Sequence, residues 1–139
     1  LVQPFIDGET LSFSCIFRHG QGELISVNQQ VMTEQDRQFK LLACDVNAYA
    51  IKLSDQQLVD AIAEAVPGLF GYVGIDLISD QCGQRWVLEI NPRLTSSYAG
   101  ISAALGINCA ELVLALEDIF PVITRTQNKR IRVELKLPN

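Results

Sequence analysis

An α+β fold, with antiparallel hairpins backed by helices, is predicted by three features of the chain. Alternating segments at residues 10–18 and 23–29 flank the glycine turn His19-Gly20-Gln21-Gly22. A single amphipathic helix at 54–66 separates them from a second alternating pair, 70–79 and 85–91. The resulting order, β-β-β-α-β-β-α-α-β, groups strands into hairpins with helices to cover them.

Each element has its own justification. Residues 1–6 read as a short strand closed by Asp7-Gly8. In 10–18, Leu11, Phe13, Cys15 and Phe17 alternate with Ser12, Ser14 and Ile16, which predicts a half-buried strand, and 23–29 is its hairpin partner. The polar, aperiodic stretch 30–40 reads as a loop, and 41–53 is ambiguous, with room for a further short strand. Ser54-Asp55-Gln56-Gln57 is a candidate capping box; Leu58, Ile62 and Val66 follow at helical spacing, and Pro67-Gly68 ends the helix. Two helical segments, 99–105 and 109–119, the second capped by Asn108, precede a final alternating strand at 129–137.

The 139 residues are 48% hydrophobic and 19% charged, which suits one globular domain with a core. A net charge of -5 argues against nucleic-acid or anionic-membrane binding. No apolar run approaches the roughly 20 residues that span a bilayer. The four cysteines are scattered without a CxxC pair, so neither a zinc site nor a disulfide framework is indicated, and a cytoplasmic location with reduced thiols is expected. His19, the only histidine, reads as a solvated turn residue. The only methionine is Met32, so the chain reads as a piece of a longer parent. Gly68, Gly71 and Gly74 lead from a helix into a strand, the reverse of a dinucleotide-binding turn.

The stretch Trp86-Val87-Leu88-Glu89-Ile90-Asn91-Pro92-Arg93 carries the chemistry. If the turn before it centres on Cys82-Gly83, opposed residues sum to a constant. Ile75 then faces Ile90 and Leu77 faces Leu88 on an apolar face. On the other face Tyr72 meets Arg93, Gly74 meets Asn91 and Asp76 meets Glu89. Opposed carboxylates destabilise a sheet unless a positive charge lies between them. With the Asn91 oxygen one step along, three hard donors converge, which suits Mg²⁺ or Mn²⁺ completed by water and substrate phosphates. Spacing alone also fits two solvated carboxylates on an exposed sheet face.

The segment from Gly71 to Arg93 resembles the closing metal-binding segment of ATP-grasp enzymes, in which an acidic residue precedes Glu-x-Asn on the next strand. Residues 1–14, LVQPFIDGETLSFS, resemble the hinge that holds adenine, and both fall in the family's order. The resemblance covers essentially all of 1–139 as the C-terminal half of an ATP-grasp fold. It implies ATP and Mg²⁺ (or Mn²⁺) as cofactors. Gln3, Pro4, Phe5 and Ile6 would form the adenine hinge, and Asp76, Glu89 and Asn91 would be the metal ligands. Arg93 would be the catalytic cation, with Ser96 and Ser97 meeting phosphate and acyl substrate.

The match departs in places. Gln3 replaces a common hinge glutamate, and Thr10 stands where many members carry a ribose-binding acid, a role that Glu9 next door would take. Gly74 stands where some ligases place an arginine. The phosphate-clamping lysines lie upstream of the hinge, and Lys40 and Lys52 read as surface lysines. The stretch Asn91 to Gly100 resembles small ligases that couple glutamate to an amine, such as tyramine–glutamate ligase. A carboxylate–amine ligase using an acyl phosphate is therefore expected, with a small carboxylic acid and an amine as partners. Two other readings stay open: a non-catalytic nucleotide-binding module, and a carboxylase or phosphotransferase of the same fold.

Overall fold

The computed structural model describes residues 3–135. Its strands are β1 (Gly8–Arg18), β2 (Gln21–Gln35), β3 (Gln38–Tyr49), β4 (Gly71–Asp80), β5 (Arg85–Asn91) and β6 (Ile131–Glu134). They form one six-stranded antiparallel sheet in the order β5-β4-β1-β2-β3-β6. Helix α1 (Leu53–Ala65) covers one face, and α2 (Tyr98–Leu105) and α3 (Cys109–Ala115) cover the other. The α+β arrangement is the one expected.

Alternation along β1 feeds two cores. Leu11, Phe13, Cys15 and Phe17 pack with Ile75 and Leu77 of β4 beneath Val59, Ile62 and Ala63 of α1. Ile16 joins Ile25, Val46 and Tyr72 beneath Ile101, Ala104 and Leu105 of α2. Every residue from Leu11 to Phe17 is buried, including Ser12 and Ser14, so β1 is covered on both faces rather than half-buried.

Several boundaries differ from expectation. Residues 30–40 are not a loop: β2 and β3 run on into a hairpin that turns at Asp36-Arg37, both at positive φ. This arm is largely uncovered, so ladder hydrogen bonds rather than burial hold it, and it has no hydrophobic period to read. The ambiguous residues 41–49 belong to β3. Residues 3–7 carry no regular structure, in contrast to the expected strand, and Leu1 and Val2 lie outside the described residues. Lys52, not Ser54, is the N-cap of α1, and the Asp55 carboxylate accepts the Lys52 N–H at 3.1 Å. The other oxygen of fully buried Asp55 pairs with Arg85 Nε at 3.0 Å and ties α1 to β5.

Asn108 caps α3 as expected, accepting Glu111 N–H at 3.2 Å, but α3 ends at Ala115. Of the expected last strand, 131–134 is formed, and residues 136 and 137 lie outside the described residues. Beside it, Arg130 at 2.5 Å and Arg132 at 2.7 Å grip the buried Asp45 of β3. The Arg132 hydrogen bond, with Arg130 assisting, holds that carboxyl well below the usual carboxylate range against the effect of its burial.

Candidate metal and phosphate site

The β4–β5 hairpin places Gly74 opposite Asn91, Ile75 opposite Ile90 and Asp76 opposite Glu89. Gly83 takes φ +80° in the turn. One side of Asp80 organises that turn: its Oδ1 accepts the N–H groups of Cys82 and Gln84, each at 2.9 Å. A bulge between Asp76 and Leu77 then leaves Leu88 without a partner, so Leu77 faces Val87 and not Leu88. Without this extra residue Asp76 would face Leu88, and the two carboxylates would not meet. The expected pairing of Tyr72 with Arg93 is absent, because β5 ends at Asn91.

Both oxygens of the half-buried Asp76 accept hydrogen bonds: Oδ1 from Gln30 Nε2 at 2.8 Å, Oδ2 from Asn91 Nδ2 at 3.1 Å. Burial pushes its carboxyl above the usual range; the Glu89 charge pushes the same way, while Gln30, Asn91 and Arg93 oppose. Among the described residues, no lysine or arginine forms an ion pair with Asp76 or Glu89. The exposed Arg93 reaches Asn91 Oδ1 at 3.4 Å and the Leu94 carbonyl at 3.3 Å. Ser12, Gln30, Cys44, Asp76, Asn91, Arg93 and Ser96 surround a cleft of about 120 Å³.

A layer of buried hydroxyls holds the loop after β5 against this floor. The Tyr72 hydroxyl donates to Ser14 at 2.9 Å and lies 3.2 Å from both Thr95 and Ser97. Ser97 is 3.0 Å from Ser14, and Asn28 Nδ2 donates to Ser14 at 3.0 Å. Gly74 makes room for the crossing: a Cβ there would stand 2.4 Å from the Thr95 methyl carbon. Both serines expected to meet substrate line the cleft; Ser96 is half-buried there, whereas Ser97 is buried and also bonded into the hydroxyl layer.

The remaining expected residues lie elsewhere. Gln3, Pro4 and Phe5 are exposed and Ile6 is half-buried, just ahead of Gly8, which pairs with Asp80 at the far end of β4 from Asn91. Glu9 is on the opposite sheet face from Asp76, with its carboxylate taken by Gln29 at 2.6 Å and by the Tyr49 hydroxyl. Strand alternation puts Thr10, not Glu9, on the Asp76 side. Lys40 bonds to Gln35 at 2.9 Å in the exposed arm, and His19 is an exposed turn residue at positive φ.

A family model described as an ATP-grasp domain matches residues 1–97 of the chain. The chain belongs to the ATP-grasp family. It is 37% identical over 103 residues to tyramine–L-glutamate ligase of Methanocaldococcus jannaschii, a match covering 73% of this chain and 31% of that protein. The chain thus spans about a third of the length of the curated relatives it matches. An ATP-grasp superfamily protein from Archaeoglobus fulgidus superposes with TM-score 0.71 at 29% identity, over 95% of this chain and 40% of that one. L-amino acid ligase from Bacillus licheniformis shares the fold at TM-score 0.64 and 23% identity, over 81% of this chain and 30% of that one.

ATP-grasp proteins work with ATP and Mg²⁺, and the donor set here fits such an ion. Two opposed carboxylates have no direct ion-pair partner among the described residues, and a neighbouring amide adds a third hard donor once its oxygen turns toward them. Reading the sequence missed Gln30, because its segment looked like a loop. It also missed Ser12, Ser14 and Asn28, whose alternation looks like a solvated strand face until the ATP-grasp loop covers it.

Proposed function

We propose that this chain is the nucleotide- and metal-binding C-terminal half of an ATP-dependent carboxylate–amine ligase. The observation that carries the reading is the bulge-enforced meeting of Asp76 and Glu89 beside Asn91, under Arg93. Asp76, Glu89 and Asn91 would hold Mg²⁺, which when bound offsets the charge of the nucleotide phosphates. The residues 3–6 would hold adenine through backbone groups, and the cleft between Asp76 and Ser96 would take the reacting carboxylate. Along β4, the hinge end and the carboxylate pair are four residues apart, about 13 Å at 3.3 Å per residue. An extended nucleotide covers such a distance.

In the proposed reaction a carboxylate oxygen attacks the γ-phosphorus of ATP, and ADP leaves. The amine nitrogen then attacks the acyl carbon, phosphate departs with the bonding pair, and the amine loses a proton. The chain's own residues contribute position and charge rather than a covalent intermediate. Arg93 would meet the charge that develops on the transferring group, which is where an exposed guanidinium beside the ligands is most useful. The names of the relatives, tyramine–L-glutamate ligase and L-amino acid ligase, support an amino acid as the acid.

The test is phosphate release by the full-length protein with MgATP, L-glutamate and tyramine, each omitted in turn. Release that requires both acid and amine is expected. Tight nucleotide binding with no release for any acid and amine pair would favour a non-catalytic module instead.

A further inference from the structure

We propose that Gln30 is the positioning residue of the carboxylate pair, holding Asp76 in the orientation that receives the metal ion; this rests on the metal-site reading above. Gln30 lies on β2 and Asp76 on β4, with β1 between them. Gln30 stands level with Thr10 and Asp76 with Ser12. Two strand spacings of 4.7–4.9 Å and a two-residue stagger therefore put their backbones about 11–12 Å apart, and only a long side chain closes the gap. The path runs over the small side chain of Ser12, and the bond made is short, Gln30 Nε2 to Asp76 Oδ1 at 2.8 Å. The Gln30 backbone is itself pinned: its carbonyl accepts Thr10 Oγ1 at 3.0 Å and it pairs with Cys44 of β3.

The choice of an amide follows from charge. Asn91 also donates to Asp76, but that bond is surrendered when the Asn91 oxygen turns to a cation. Gln30 is then the donor that still fixes the carboxylate. A lysine of similar reach would place an ammonium on Asp76 and compete with the metal ion. A glutamate would bring a third negative charge. A neutral donor orients Asp76 and leaves both charges of the Asp76/Glu89 pair to the ion.

Mn²⁺ alone, titrated into the full-length protein and followed by the paramagnetic resonance of the free ion, reads this directly. Gln30→Met keeps the length and removes the donor, and its dissociation constant for Mn²⁺ should rise about 10–100-fold. Gln30→Lys should abolish binding as completely as Asp76→Asn does. Both Gln30 variants should unfold in EDTA near the wild-type midpoint, or above it for lysine, which a residue needed only for folding would not do. If Asp76→Asn loses Mn²⁺ but Gln30→Met and Gln30→Lys bind it as the wild type does, the role of Gln30 is overturned and the metal site stands. If Asp76→Asn binds Mn²⁺ like the wild type, the metal site falls and the role of Gln30 falls with it.

Discussion

Replacing Asp76 with asparagine separates a metal site from an ordinary polar face. Without metal, the folded protein holds the Asp76 carboxylate half-buried and opposite Glu89, and its pKa is raised, first by burial and then by that charge. A carboxyl raised on folding favours the folded state below its unfolded pKa, near 3.9, and loses that contribution as pH climbs through the folded value. At neutral pH the ionised group therefore costs stability, and Asp76→Asn should recover part of it. Glu89 is exposed and screened, so relief of the like-charge contact is worth about 0.2–1 kcal/mol. The new amide also changes its bonds: it still accepts from Gln30 and donates to Asn91 once that amide flips.

With a urea m-value of about 1–3 kcal/mol/M, the midpoint in EDTA at pH 7 should rise by a few tenths molar. The gap between the two proteins should close as pH falls through the raised pKa of Asp76 and the wild-type carboxyl becomes neutral. Millimolar Mg²⁺ should then stabilise the wild type more than the variant. An asparagine variant that is less stable in EDTA and answers Mg²⁺ like the wild type would refute the placement of the metal.

Three further outcomes follow from the same geometry. Arg93→Ala in the full-length protein should lower kcat more than it raises KM for ATP, with Arg93→Lys restoring only part of the loss; steady-state kinetics with an unchanged kcat would leave Arg93 a structural role. Gly74→Ala should cost about 1–3 kcal/mol in a urea melt, because the Thr95 methyl stands 2.4 Å from the new Cβ. Thr95→Ser in the same chain should recover much of that, and no recovery would mean that the crowding lies elsewhere. Asp45→Asn should destabilise by about 1–3 kcal/mol at pH 7, by weakening the charge-assisted bonds from Arg130 and Arg132. The Asp45 carboxyl is lowered on folding, so its contribution is present above pH 4 and fades in more acidic solution. A difference between wild type and Asp45→Asn that persists undiminished below pH 3 would contradict this origin.

The sequence by itself determined the two hairpins, the amphipathic helix between them, and the meeting of Asp76 with Glu89 and of Gly74 with Asn91. These are local matters, since alternation sets faces and a turn brings adjacent strands together within about twenty residues. The Asp76–Glu89 register itself, however, is completed by the bulge at Leu88, which the sequence does not signal. Tertiary structure decided the rest. Whether Ser12, Ser14 and Asn28 face water or lie beneath a loop depends on residues 92–97 crossing Gly74, which is not encoded near those serines. That crossing also set Ser96 and Ser97 apart: both line the cleft, but Ser97 alone is bonded into the hydroxyl layer. The 30–40 arm was illegible because a hairpin that buries little leaves no hydrophobic period in its sequence. Gln30 reached Asp76 across β1 only once the strand order was set, since one strand separates them in space and 46 positions in the chain. Pairing along one turn is written in adjacent residues; contact across a third strand is a property of the assembled sheet.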